Sequence, residues 1–342
     1  MSFRKWLNIA TIALIVLVVF FARKDILEAW HLLWQVDIWI FLLIIPVQFL
    51  SYYASGATIF SYLKHGGDLA HIRWYEQPKM ALELNFVNHI FPTAGLSGAS
   101  YMTYRLGKLG VNHGRATLAQ VVKFAMAFLS YLALLIVAVI MVTVDGDLTR
   151  MTILAACSLV TIILLGMIIA MHILGNKRSL EKFSNFIDRL LNQRLRKLLK
   201  RTAPLIERAT IVTFFDDISA DYEVLRKNPK YLREPFIWGL VFNLAETAMF
   251  FVAFWALGVL VNPAPILIAL GLAGVIGAVT VTPGGAGGYE AMMILFLTSA
   301  GVPASVAVAG VVLARTSLII LTISTGYVFY HLSMKKYGKL DT

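Results

Sequence analysis

The chain has 342 residues, of which 59% are hydrophobic and only 14% charged, with a formal net charge of +11. So little polar surface cannot wrap a water-soluble body of this size, so the solvent for most of it is lipid. Apolar stretches near the roughly 20 residues that cross a bilayer recur, whereas ten-residue alternation does not; this excludes a barrel and predicts an all-α polytopic integral membrane protein.

In chain order, Met1 to Phe21 opens with Arg4 and Lys5 and continues as an apolar run. The outline suits a signal peptide, but Phe21-Ala22-Arg23-Lys24 offers no small-x-small cleavage site, so a retained first span is expected over 7–22. Further full spans are expected over 37–60, 117–144, 151–174, 235–260 and 303–331.

Two apolar regions do not read as spans. Region 80–109 is interrupted by Phe91-Pro92-Thr93-Ala94-Gly95-Leu96-Ser97-Gly98, and region 264–300 by Thr282-Pro283-Gly284-Gly285-Ala286-Gly287-Gly288. Proline cannot continue a helix and glycine accepts sharp backbone angles, so the helix opens there. Each arm beside a break covers about half a bilayer at ~1.5 Å per residue, which predicts two re-entrant helical hairpins. Opened backbone inside a membrane is tolerated only where protein or water covers it, so each break implies a lined cavity.

Segment 175–234 carries fourteen Lys and Arg against eight Asp and Glu. Apolar residues recur in it at helical spacing on either side of Ala203-Pro204, giving two amphipathic helices expected to lie on the inner membrane surface against anionic lipids. That apolar stripe argues against nucleic acid as the partner. With this segment cytoplasmic, both termini, loop 61–79 and the turn containing Arg105, Lys108 and Arg115 are expected inside, and Asp145 and Asp147 outside, in the cell membrane.

An internal repeat supports this layout. Pro92 is followed by Gly110-Val111 and Pro283 by Gly301-Val302, both pairs 191 residues apart. A long span with a basic residue follows each, Lys123 in one and Arg315 in the other, one position out of register. The first hairpin is expected to enter from the cytoplasm and the second from outside, giving inverted half-repeats over 37–174 and 235–333 within a single domain, 1–342. Secondary transporters use inverted repeats with broken helices meeting near the midplane.

The residues with chemistry gather around these breaks. Arg315 and Lys123 are costly in hydrocarbon and normally face a bundle interior or wet cavity. Either they hold lipid phosphate, or they form ion pairs that stabilise packing, with Glu290, Glu246 or Glu83. Glu290 opens the half-helix after the glycines, where a carboxylate suits the positive helix end; otherwise it meets a cationic head group or exchanges protons. The half-helices starting near Ser97 and Gly288 should aim free N–H groups at the cavity, an anion site that Gly95, Gly98, Gly284, Gly285 and Gly287 would let phosphate approach. Arg105, Asn243, Asn85, Asn88 and Gln48 are expected along the path or as interhelical hydrogen-bond partners. Cys157 lies alone in an apolar stretch and is expected to be buried. The histidines show no metal-ligand spacing and no nucleotide loop or catalytic triad is present, so no cofactor and no enzymatic chemistry are expected.

The run Thr282-Pro283-Gly284-Gly285-Ala286-Gly287-Gly288-Tyr289-Glu290, then Gly301-Val302-Pro303 and Arg315, resembles the C-terminal signature of the lysylphosphatidylglycerol synthase transmembrane family. Phe91-Pro92 through Gly98, ending in Tyr104-Arg105-Leu106, is similar to its N-terminal signature. The resemblance implies a flippase-like domain that translocates aminoacylated phosphatidylglycerol, with stand-alone members linked to polyprenyl-phosphate glycolipid pathways. No aminoacyltransferase domain follows Thr342, so synthesis of the lysyl lipid is not expected. Ser97 and Gly98 stand where many relatives carry an acidic residue.

The expected function is transfer of a charged-head-group phospholipid or polyprenyl-phosphate lipid between leaflets, by a single chain or a homo-oligomer. The alternatives are a membrane enzyme acting on lipid-linked substrates and a non-transporting scaffold that binds anionic lipid.

Overall fold

The computed structural model describes residues 23–69, 72–73, 75–90, 96–145, 150–176, a few positions between 178 and 185, 227–280, 282 and 285–338. The expected span 7–22, Pro92, Gly95, Pro283, Gly284 and most of segment 175–234 lie outside the described residues. In chain order the helices are α1 (Arg23–Leu33), α2 (Ile38–Phe41), α3 (Ile44–His65), α4 (Glu76–Ile90), α5 (Leu96–Gly107), α6 (His113–Asp145) and α7 (Arg150–Gly175). After a 3₁₀ turn (Pro229–Leu232) come α8 (Arg233–Ala256), α9 (Pro263–Val279), α10 (Gly288–Ser299) and α11 (Ala304–Tyr337). Among the described residues there is no strand, and the chain is an all-α polytopic membrane protein.

Ile38–His65, His113–Met141, Pro229–Ala256 and Ala304–Tyr337 are long and apolar enough to cross a membrane. The 26 residues of α7 reach about 39 Å, also sufficient. By contrast α4 has 15 residues, α5 12, α9 17 and α10 12, so no arm exceeds about 25 Å, short of the ~30 Å hydrocarbon core. Local chemistry starts the elements where it should. Asp37 accepts the N–H of Trp39 at 2.9 Å ahead of α2, and Asn262 accepts that of Ala264 at 2.9 Å ahead of Pro263 in α9.

The Gly-Val turns of the repeat are the same helix stop built twice. Gly110 and Gly301 take φ of 87° and 95°, and the following residue turns its N–H back onto the helix, Val111 to Leu106 O at 3.1 Å and Val302 to Leu297 O at 3.0 Å. Helices α3 and α8 end the same way. Gly67 and Gly258 have positive φ, with Asp68 bonded to Leu63 O and Val259 to Phe254 O, each at 3.1 Å. Gly67 and Gly258 are again 191 residues apart, so the repeat extends one helix further back than the hairpins.

Contacts at the helix ends fix the topology. Arg115, opening α6, pairs with Asp68, just after α3, at 3.0 Å, so the hairpin α4–α5 leaves and returns at one end of the bundle. His65 lies 3.7 Å from Glu234 of α8, and Tyr104 of α5 donates to Gly338 O at 3.0 Å, placing the start of α8 and the finish of α11 at that same end. The far end of α8 meets Asp37, whose N–H donates to Ala256 O at 2.8 Å, and Leu257 packs with Ala309 of α11. The hairpin α9–α10 therefore enters and returns at the opposite end, and the two hairpins dip in from opposite faces. Lys64, Lys79, Lys108, Arg115, Arg233, Lys335 and Lys336 share the first end, called the basic end below.

Packing follows an exchanged pattern. The first arm of each hairpin lies against the long helix of the other half, α4 on α11 and α9 on α6, and the second arm lies against its own, α5 on α6 and α10 on α11. Helices α3 and α8 form the most extensive contact in the bundle. Small residues permit the close approaches: a Cβ at Gly326 of α11 would lie 2.6 Å from Phe86 Cβ of α4, and one at Gly271 of α9 would strike the Tyr131 hydroxyl of α6. The outer surface is apolar, with Phe128, Ile140, Leu165, Ile169, Leu244 and Ile320 all exposed, as lipid contact requires. Cys157 belongs to this surface and is exposed, because its face of α7 packs against nothing described; the expectation that it is buried is corrected.

Candidate functional site

Arg315 stands twelfth in α11, about 16 Å along it and so near mid-depth. Its side chain is 9% exposed, and Nε donates to Glu290 Oε1 at 2.7 Å. The other carboxylate oxygen of Glu290 accepts the Gly287 N–H at 2.6 Å, so this residue caps α10 and pairs with arginine at once. The Arg315 guanidinium also lies 4.2 Å over the Tyr289 ring. This geometry depends on the break: Gly285 holds φ of 71° with no room for a Cβ, which would meet Gly277 Cα at 2.8 Å.

From α8, half-buried Glu246 enters the same region. Ser51 of α3 donates to its Oε1 at 2.6 Å, and it is coupled electrostatically to Arg315, to Tyr289 and to Tyr52 of α3. Gln48 Nε2 donates to Leu318 O at 3.0 Å and to Thr322 Oγ1 at 3.2 Å, and also bonds the Tyr52 hydroxyl, which in turn bonds Thr322. Among the described residues the buried Gln48 Oε1 has no partner. From the tip of the opposing hairpin, His89 at the end of α4 is coupled electrostatically to Arg315. Glu290 at the start of α10 is thus paired with Arg315, and His89 in the last turn of α4 acts on the same arginine electrostatically.

The remaining expected residues divide. Gly98 is wedged against Asn88, whose Oδ1 accepts its N–H at 2.9 Å. With the Gly287 N–H taken by Glu290, two of the helix-end donors expected to face a ligand are already bound to side chains. Gly288 abuts Thr280 as Gly98 abuts Asn88, so the glycines close the hairpins. The backbone of Ser97 belongs to the first turn of α5. Asn243 spends its amide on α6, donating to Ala127 O at 3.0 Å and Ser130 Oγ at 2.9 Å. Lys123 is half-buried with its Nζ 5.8 Å from the Phe124 ring and no ion pair among the described residues.

Arg105 is not in a turn. It ends α5 at 2% side-chain exposure, bonded to the equally buried Glu83 of α4 at 2.7 Å, because two hairpin arms this close leave no water to solvate either charge. Tyr101 donates to the same Glu83 oxygen at 2.8 Å, and the Tyr337 ring lies 4.4 Å from the guanidinium. This second ion pair ties the base of the first hairpin to the end of α11, away from the mid-depth cluster.

Among the described residues no group of three or more His, Cys, Asp or Glu gathers as metal ligands. What the residues form is a polar cluster with one buried cation, two carboxylates and several hydroxyls inside an apolar bundle. That defines a polytopic helical membrane protein with an internal polar site. The profile of the lysylphosphatidylglycerol synthase TM region matches residues 6–326, and the chain belongs to that family, which ties it to lipid handling in the membrane. No curated protein and no solved structure matches the chain.

Proposed function

We propose that the chain is a lipid transporter, a flippase or scramblase, and not an enzyme, moving a phospholipid or polyprenyl-phosphate lipid between leaflets. The observation that carries this reading is a buried Arg315–Glu290 pair at the second hairpin, inside an apolar bundle whose two short hairpins enter from opposite ends, with Ser51 and Glu246 bonded to each other in the same region. A lipid flips slowly unaided because its charged head must shed water; a slot of fixed charges and dipoles replaces part of that hydration while the acyl chains stay in the bilayer. The head-group phosphate takes the Arg315 guanidinium face, with Glu246, Ser51 and Tyr52 lining the approach. The basic end faces the cytoplasm of the cell membrane, as the concentration of lysine and arginine favours.

The test is leaflet transfer in proteoliposomes, using a panel of labelled lipids that spans anionic, zwitterionic and polyprenyl-phosphate head groups. Transfer of at least one class above protein-free vesicles, lost in Arg315→Ala, is the expected result. Covalent modification of a lipid without transfer would replace this reading with an enzymatic one.

A further inference from the structure

The charges in the mid-depth cluster do not cancel. Arg315 is met by Glu290 at 2.7 Å, and both Glu290 oxygens are engaged, one with the guanidinium and one with the Gly287 N–H. Glu246 is left over: it accepts from Ser51 and forms no ion pair among the described residues. The groups facing it are Tyr52 and Ser51 from α3, Tyr289 from α10 and Arg315 from α11, with His89 of α4 acting on Arg315 from beyond. Helix α9 carries no titratable side chain, and Lys123 of α6 forms no ion pair among the described residues. With all three ionised, Arg315, Glu290 and Glu246 sum to one negative charge inside an apolar bundle. One proton on Glu246 brings the set to zero.

We propose that Glu246 is a proton-binding site through which lipid transfer is coupled to a proton gradient; this rests on the transport reading above. A phosphate approaching Arg315 meets an ionised Glu246 as a like charge and a protonated one as a hydrogen-bond donor. Proton and phosphate therefore favour each other's binding, and the reciprocity of coupled equilibria makes the preference mutual. The only bond made or broken is the carboxyl O–H: one proton leaves water on one face, rides on Glu246 with the anionic head group, and returns to water on the other. Both oxygens of Glu290 are committed, to Arg315 at 2.7 Å and to the Gly287 N–H at 2.6 Å, which leaves Glu246 as the carboxylate of the cluster with no cationic partner among the described residues.

The full-length protein in vesicles containing labelled phosphatidylglycerol is given a pH difference, and the final distribution of label between leaflets is read. One-to-one coupling gives about tenfold asymmetry per unit of pH difference, abolished by a protonophore. Glu246→Gln should lose the asymmetry whatever its rate, and Glu246→Asp should restore it. A wild-type protein that transfers lipid but distributes it evenly under a pH difference overturns the coupling and leaves the transport reading standing. If neither labelled phosphatidylglycerol nor any other lipid of the panel moves, the transport reading fails, and the proton site is judged by infrared titration of the purified protein. A carboxyl C=O band that appears on acidification and is missing in Glu246→Gln supports the site; identical spectra overturn it.

Discussion

Truncating Arg315 leaves Glu290 with a charge inside the bundle, and breaking a buried ion pair from one side costs about 3–5 kcal/mol. Arg315→Ala should therefore lower the unfolding temperature in detergent as well as stop transfer. Replacing both partners, Arg315→Gln with Glu290→Gln, should recover most of that stability and none of the transfer, which separates the structural share of the pair from its functional one. Gly98 tests the hairpin tip. An alanine there would drive its Cβ into the Asn88 amide, so Gly98→Ala should destabilise by about 1–3 kcal/mol, and Asn88→Ala in the same chain should relieve the clash. At this scale the sequence pointed to Arg315 and Glu290, because charges in apolar runs stand out. It offered Glu290, Glu246 and Glu83 as partners without choosing among them, since nothing in a 25-residue separation says that α10 and α11 lie side by side. Glu83 with Arg105 is the same case across 22 residues.

Helix α3 shows what a closer reading of periodicity would have found. Gln48, Ser51 and Tyr52 stand at i, i+3 and i+4 on one face of the span, and all three are buried and bonded within the site. The arms, the breaks and the Gly-Val stops were legible because proline, glycine and helix length act locally. The partnership of α4 with α11 and of α9 with α6 was not, because it rests on small-residue contacts between distant segments. Gly326→Leu tests it: the side chain would meet Phe86 Cβ and the Leu82 carbonyl, prising α4 from α11. The expected result is a lower unfolding temperature and a large loss of transfer.

For the whole molecule, the decisive prediction is topological. In a Cys157→Ser background, Lys64→Cys and Lys108→Cys should react with an impermeant thiol reagent from the same side of sealed vesicles, and Leu260→Cys from the other. Labelling of positions 64 and 108 from opposite sides would make α4–α5 a full crossing and remove the inverted repeat. Charge asymmetry along the chain already suggested this arrangement, and the end-to-end contacts of Asp68 with Arg115 and of Tyr104 with Gly338 supply its geometry.

The crossed partnership of hairpins and long helices has a mechanical consequence. Tilting α11 carries α4, which belongs to the other half, and tilting α6 carries α9, so neither half can swing without hauling the opposing dip along with it. On the proposed transport function, widening the site toward one leaflet is then expected to narrow it toward the other, with no continuous water column through the bundle. Vesicles bearing the protein should hold a salt gradient even while lipid is moving.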